Sequence, residues 1–255
     1  MSIKKTIYKK WDLYVSDGLD KNIKLGMAIV NSDFKVQRVI KDSERNYVAI
    51  VIIKNKKYIL KEIRAEVKLI QRRFQTIFKK GEALTTLINY YDLDDSLKKH
   101  IAEPYVVLIQ RNILINKSYI LSEYIEGTMV KTVKDIDAIL YLIKELHEAN
   151  RYHGDLNTSN FLKSSNGKIV TFDTQLKKEL FLNFKRSYDI LNLKEDLLVL
   201  KLGYDVEKRV KINKFNIGFI IAFIIKQLKK TRLINIIRNQ KKKIRKKRYE
   251  YKKRK

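Results

Sequence analysis

The residues with the most chemical content lie in one short stretch, His153-Gly154-Asp155-Leu156-Asn157-Thr158-Ser159-Asn160, followed at a short interval by Thr171-Phe172-Asp173. Phosphoryl transfer asks little covalent work of a protein. It must orient the attacking hydroxyl, hold metal ions on the phosphates and neutralise developing charge. An H-x-D-x-x-x-x-N loop supplies those functions, with Asp155 accepting or orienting the hydroxyl proton and Asn160 and Asp173 offering the hard oxygens that Mg²⁺ prefers. The HGD tripeptide alone is common and says little. Its setting says more: the loop follows an amphipathic helix, precedes a hairpin, and the second acid closes that hairpin's return strand, which is the order a phosphotransferase lobe needs.

These side chains need elements to hold them. Between Lys35 and Ile63 the text KVQRVIKDSERNYVAIVIIKNKKYILKEI holds three runs rich in valine, isoleucine and tyrosine, broken by polar turns at 41–46 and 54–57. That pattern predicts an antiparallel meander. Gly81 marks a break, after which Ala83, Leu84, Leu87, Ile88 and Tyr91 fall on one helical stripe. Residues 105–109 and 118–125 read as two further strands. Asp135 reads as the N-cap of a helix carrying Ile136, Ile139, Leu140, Ile143, Leu146 and His147 on one side. Asn166-Gly167 predicts a hairpin joining residues 160–162 to 168–172. Residues 184–228 are mostly helical by pattern.

Composition sets outer bounds. A chain of 255 residues that is 45% hydrophobic fills one compact domain or two packed lobes. With no cysteine, disulfides and thiolate metal sites are excluded. The opening MSIKKTIYKKW is not followed by the apolar run and small-residue cleavage site of a secretory signal, and reads as mature sequence. No stretch approaches the ~18 apolar residues of a membrane span. The nearest, Ile217 to Ile225, reads as a buried or interfacial helix. A net charge of +28 attracts nucleic acid, anionic lipid or phosphorylated substrates. From Lys226 onward the chain is a basic block whose one acid is Glu250.

The segments KVQRVIKDSERNYVAIVIIKNKKYILKEI, KKGEAL, ILSEYIEG, LHEANRYHGDLNTSNF and KIVTFDTQLKK resemble the bacterial lipopolysaccharide core heptose kinase family, a distant relative of protein kinases and of aminoglycoside and choline kinases. The similarity runs from Lys35 to beyond Asp173. It implies an α+β, bilobal protein-kinase-like fold: residues 1–125 an N-lobe with a small antiparallel sheet and one or two helices, 126–228 a mainly helical C-lobe, and 229–255 a polybasic tail. It further implies an ATP- and Mg²⁺-dependent kinase acting on a heptose hydroxyl of the lipopolysaccharide inner core, cytoplasmic and peripheral at the inner membrane. Lys61 is then expected to hold the α- and β-phosphates. Glu82 is its expected partner, Glu62 and Glu66 being too near Lys61 to fold back. The main chain of Glu123-Tyr124-Ile125 is expected to meet the adenine, and Asn160 and Asp173 the metal. His147 and His153 are expected to brace structure, and His100 to lie at the surface.

The sequence departs from the wider kinase pattern. No G-x-G-x-x-G stands between the first two strands of the meander, where Lys41-Asp42-Ser43-Glu44-Arg45-Asn46 is found, and the metal-binding triplet is Phe172-Asp173-Thr174. Asn157 occupies the place where protein kinases usually carry lysine, which argues against a protein substrate. Other readings stay open: a kinase-like enzyme acting on a protein or soluble small molecule, and a nucleic-acid-binding basic protein. The last is not expected, because such a module has no use for three kinase-like elements in order. A catalytically dead relative is disfavoured by the presence of Lys61, Asp155, Asn160 and Asp173. The basic tail and the Ile217 to Ile225 helix would hold the chain against an anionic membrane surface, each cation adding about 1 kcal/mol there.

Overall fold

The computed structural model describes residues 2–69, 72–74, 76, 79–210 and 213–231, with positions 236, 239, 240 and 243 beyond them. The fold is α+β with antiparallel sheets. It divides into two compact units, one built mainly from Met1–Asp94 and Ala102–Tyr124, the other from Asp95–Ile101 and Ile125–Ile244.

The first unit contains β1 (Ile3–Tyr8), β2 (Trp11–Ser16), α1 (Asp20–Asn31), β3 (Lys35–Asp42), β4 (Tyr47–Ile53), β5 (Lys56–Glu62), α2 (Glu82–Tyr91), β6 (Pro104–Arg111) and β7 (Ile115–Glu123). Its seven strands run in the order β1-β2-β6-β7-β5-β4-β3. The expected meander is β3-β4-β5, and β7 pairs back onto β5 so that Lys61 stands opposite Val48 on one side and Ile120 on the other. Leu13, Val15, Val51, Leu60, Val106, Leu108 and Leu121 form the buried core, with Ile29 of α1 packed among them. Strand β3 is exposed along its whole length and irregular at Val36/Arg38 and Val39/Lys41. Bulges and basic side chains of this kind discourage pairing with another chain's edge.

Strands β1 and β2 and helix α1 lie outside the meander seen in the sequence. The turn between β1 and β2 is Lys9-Lys10, with Lys9 at φ 54°, and lacks the glycine, asparagine or proline that would announce it. Helix α2 starts after Gly81 as expected, but Tyr90 is buried and Ile88 is only partly so.

The second unit contains β8 (Gly127–Met129), α3 (Val133–Glu148), β9 (Arg151–Tyr152), β10 (Phe161–Ser164), β11 (Ile169–Thr171), β12 (Lys177–Lys178), α4 (Phe184–Lys194) and α5 (Ile217–Lys230), with short helical turns at Leu197–Lys201 and Val206–Arg209. A sheet ordered β11-β10-β8 and a β12-β9 pair complete it. The Asn166-Gly167 hairpin forms as its sequence predicts, with Gly167 at φ 81°.

Helix α3 buries Ile136, Ile139, Leu140, Ile143 and Leu146. Its N-cap is Thr132 and not Asp135. The Thr132 hydroxyl accepts from the Asp135 N–H, and the Asp135 carboxylate accepts from the Thr132 N–H at 2.9 Å and the Lys131 N–H at 3.0 Å. A threonine three residues upstream satisfies the orphan amide, and the acid returns the bond. His100 also differs from expectation: it is half-buried, with Nδ1 3.0 Å from the Ile169 carbonyl and its own carbonyl accepting from the Thr171 N–H.

Candidate active site

The end of α3 and strand β9 deliver the chain into the loop 153–160, and the loop is held at both ends by carboxylates, one buried and one partly buried. Asp189 of α4, 1% exposed, accepts the His153 N–H at 2.6 Å and the Gly154 N–H at 3.0 Å. His147 Nε2 lies 3.8 Å from the same carboxylate. At the other end Asp196 accepts the Thr158 N–H at 2.9 Å and hydroxyl at 2.8 Å while also capping the helical turn that begins at Leu197. Gly154 sits at φ 90°, and a Cβ there would come within 2.9 Å of Gln175. Glycine is the residue that takes this conformation without steric cost.

His153 is fully buried. Burial pushes its pKa down, against the raising influence of the Asp189, Asp173 and Asp155 charges, so the ring is neutral with one donor nitrogen and one acceptor. Nδ1 accepts the Asp155 N–H at 3.4 Å, which leaves the proton on Nε2, 2.8 Å from Thr171 Oγ1. Thr171 in turn donates to the Asn160 carbonyl at 3.1 Å, and the Phe172 N–H reaches that carbonyl at 3.2 Å. A single chain of hydrogen bonds therefore joins the backbone of Asp155, the ring of His153, the strand leading to Asp173 and the backbone of Asn160.

Within this frame Asp155 is exposed and Asn160 is buried. The Asn160 amide nitrogen donates to the Asp155 carbonyl at 2.8 Å, which leaves its Oδ1 as the atom with ligand character. The Asn157 amide reaches the same carbonyl at 3.1 Å. Asp173 is partly buried just after β11. Asp155 and Asn160 thus belong to one stitched assembly, and Asp173 directly follows the Thr171-Phe172 segment bonded to it. Among the described residues no group of three or more His, Cys, Asp or Glu side chains could cage a metal. A magnesium site built from a carboxylate, an amide oxygen and substrate phosphates requires no such cage.

Lys61, Glu82 and Glu123 lie in the sheet unit. Lys61 is partly exposed on β5. Glu82 opens α2 with its carboxylate 3.0 Å from Arg72. Its N–H donates to Glu66, a side chain 6% exposed. Burial pushes the Glu66 carboxyl up and the nearby Glu82 charge adds to that, against the Glu82 N–H and Arg72. Glu123 ends β7 with its N–H on the Glu103 carbonyl at 2.8 Å. Desolvation raises its carboxyl, which accepts the Glu103 N–H at 3.3 Å. Ile125 opens the second unit and is partly exposed. Between the first two strands of the meander, Ser43 closes a turn on Asn46, and Arg64 braces it through Asp42 at 2.7 Å.

The anchors Asp189 and Asp196 were not singled out from the sequence. Asp189 interrupts the apolar stripe of Tyr188, Ile190, Leu191 and Leu193, and Asp196 stands before Leu-Leu-Val-Leu as a capping acid. An acid inside an apolar face is the signal that points to the first, and a helix-start pattern points to the second.

No curated protein matches the chain. Among solved structures, the MAP kinase LmaMPK10 from Leishmania major aligns at 17% identity and a TM-score of 0.41, covering 64% of this chain and 52% of that one. The chain thus spans about half of that kinase's length. The family model described as "Lipopolysaccharide core biosynthesis protein" matches residues 1–218. The chain belongs to this lipopolysaccharide core biosynthesis protein (WaaY) family.

Proposed function

We propose that the chain is an ATP- and Mg²⁺-dependent kinase that phosphorylates a heptose hydroxyl of the lipopolysaccharide inner core. The observation that carries this reading is the hydrogen-bonded frame that joins Asp155 and Asn160 through the neutral His153 and Thr171, the latter on the strand that leads into Asp173. It ties down the backbone on both sides of an exposed carboxylate, as a base that must meet an incoming hydroxyl requires.

Asp155 accepts the proton of the attacking hydroxyl as its oxygen bonds to the γ-phosphorus and the bond from that phosphorus to the bridging oxygen of ADP breaks. Asn160 through Oδ1 and Asp173 through its carboxylate suit Mg²⁺, since both offer hard oxygens. When bound, the metal supplies neutralisation of phosphate charge. Lys61, on the third strand of the meander, is assigned to the α- and β-phosphates. Glu82 is assigned to orienting Lys61, which requires it to exchange Arg72 for that lysine. With the Glu123 N–H already on Glu103, the Glu123 carbonyl and the Ile125 N–H are the groups assigned to adenine. Asn157 is tied back onto the Asp155 carbonyl and offers no cation to a peptide acceptor, which favours a sugar hydroxyl. The acceptor is lipid-anchored, so the enzyme works at the cytoplasmic face of the inner membrane, helped by the basic segment 229–255. Most of that segment lies outside the described residues.

The test is transfer from γ-labelled ATP to lipopolysaccharide whose core heptose lacks phosphate. Heptose phosphate is expected, and its loss in Asp155→Ala with ATP binding retained. Label passing to protein and not to heptose, or near-normal turnover by Asp155→Ala, would overturn the proposal.

A further inference from the structure

A second surface of the helical unit has no part in that chemistry. Leu180 is 91% exposed and Phe215 is 90% exposed, with Phe181 and Leu182 more than half exposed beside them. The 180–182 turn is held firmly. The buried Glu179 carboxylate accepts four backbone N–H groups, from Leu180 and Phe181 at 3.0 Å, Lys185 at 2.7 Å and Arg186 at 3.0 Å. Leu182 and Asn183 adopt positive φ values of 44° and 61°, an arrangement that persists only where surrounding bonds enforce it.

Helix α5 abuts this turn. A Cβ on Gly218 would lie 1.9 Å from the Leu182 carbonyl oxygen, so the two segments meet as closely as glycine allows. The helix buries Gly218, Phe219 and Ala222 against α4. Ile217, Ile220, Ile224 and Leu228 recur at three- and four-residue spacing and are all exposed. Turn and helix together present one apolar surface where a water-facing helix would carry polar residues.

Charge selects the occupant. At +28, two copies of the chain repel one another, whereas an anionic surface attracts them. Lys185 rests on the Phe184 ring at 5.0 Å and Lys229 on the Tyr188 ring at 4.7 Å, both exposed beside the patch. Fourteen residues of α5 span roughly 21 Å, short of the ~30 Å hydrocarbon core, and no helix among the described residues is long and apolar enough to cross a membrane. An apolar face with cations at its margin, too short to span, suits a helix lying in the interface plane.

We infer that the Leu180–Leu182 turn, Phe215 and the outer face of Ile217–Lys230 insert into the acyl boundary of an anionic phospholipid bilayer, seating the helical unit on the membrane. The inference deepens the membrane-surface reading above and rests on it for the identity of the surface. It adds an apolar anchor that salt does not screen.

The test uses the full chain and vesicles of phosphatidylethanolamine with phosphatidylglycerol, in low and high salt. The combined Leu180→Ser, Phe181→Ser and Phe215→Ser variant alters no charge, and all three sites are exposed, so folding is preserved and is checked by circular dichroism. High-salt vesicle binding is expected to fall by at least about tenfold in the variant, with transfer to lipid-free core oligosaccharide unchanged. Phe215→Trp is expected to shift its emission to the blue on vesicle addition and to be quenched by brominated lipid. Equal binding by variant and parent at both salt concentrations, or a Phe215→Trp emission that vesicles leave unchanged, overturns this inference and leaves tail-driven binding standing. A parent chain that binds no vesicle overturns both. A parent that is dimeric, and made monomeric by the serine substitutions, assigns the patch to a second copy and overturns the inference.

Discussion

Asp189→Asn is the most informative perturbation, because Asp189 touches no reacting group and yet holds the loop that carries Asp155. Its two oxygens serve the His153 and Gly154 N–H groups at 2.6 and 3.0 Å. Asparagine keeps one acceptor and turns an NH₂ toward the remaining donor. At 1% exposure water cannot compensate, and the loss of one hydrogen bond to a charged group costs about 1.5–3 kcal/mol. With an m-value of about 2–3 kcal/mol/M, the urea midpoint should fall by about 1 M. Transfer should fall by about 100-fold, the effect of a displacement near 1 Å at a reacting centre. Urea unfolding followed by far-ultraviolet circular dichroism reads the first quantity, hydrogen exchange in 153–160 reads the loop, and labelled-ATP turnover reads the last. Asp155→Ala provides the contrast: that residue is exposed, so stability should change by less than about 0.5 kcal/mol while transfer is lost. An Asp189→Asn protein with the parental midpoint and unchanged exchange in the loop would refute the reasoning.

Other perturbations probe other parts of the molecule. Burial raises the Asp135 carboxyl, but the Lys131 and Thr132 N–H groups, the Thr132 hydroxyl and Lys163 outweigh burial and hold it at about 2. A depressed folded-state pKa gives stability that is full above the unfolded value near 3.9 and is lost as pH falls toward 2, worth about 2 kcal/mol here. Asp135→Asn should therefore be less stable than the parent by about that amount near pH 7, the gap closing from about pH 4 downward; a gap independent of pH in denaturant titrations would contradict this. Gly154→Ala should cost about 1–3 kcal/mol through its positive φ and the contact with Gln175, with exchange rising locally in 153–160 as the measurement. Lys61→Ala should raise the ATP KM by about tenfold or more without moving the thermal midpoint of the helical unit, and unchanged steady-state kinetics would remove Lys61 from the phosphate site.

Much of the fold was legible in local pattern. The runs of Val and Ile in residues 35–62, the Asn166-Gly167 turn and the stripe from Ile136 to Leu146 each report a backbone preference decided within a few residues, and the structure forms β3-β4-β5, the β10-β11 hairpin and α3 there. Spacing within 153–160 and the return at Asp173 likewise exposed the candidate chemistry. Strands β1 and β2 escaped because their turn carries two lysines, and because β2 is fixed by pairing with β6, where Tyr14 stands opposite Val107.

What the chain order alone determined is which residues could form each element and which could do chemistry. Tertiary structure decided which carboxylates hold the loop, that Thr132 and not Asp135 caps α3, and that Glu66 is buried beside Glu82. The physical reason is that these outcomes depend on desolvation and on donors supplied from elsewhere in the fold: an aspartate in an apolar helical stripe is costly until two backbone amides from a distant loop are brought against it.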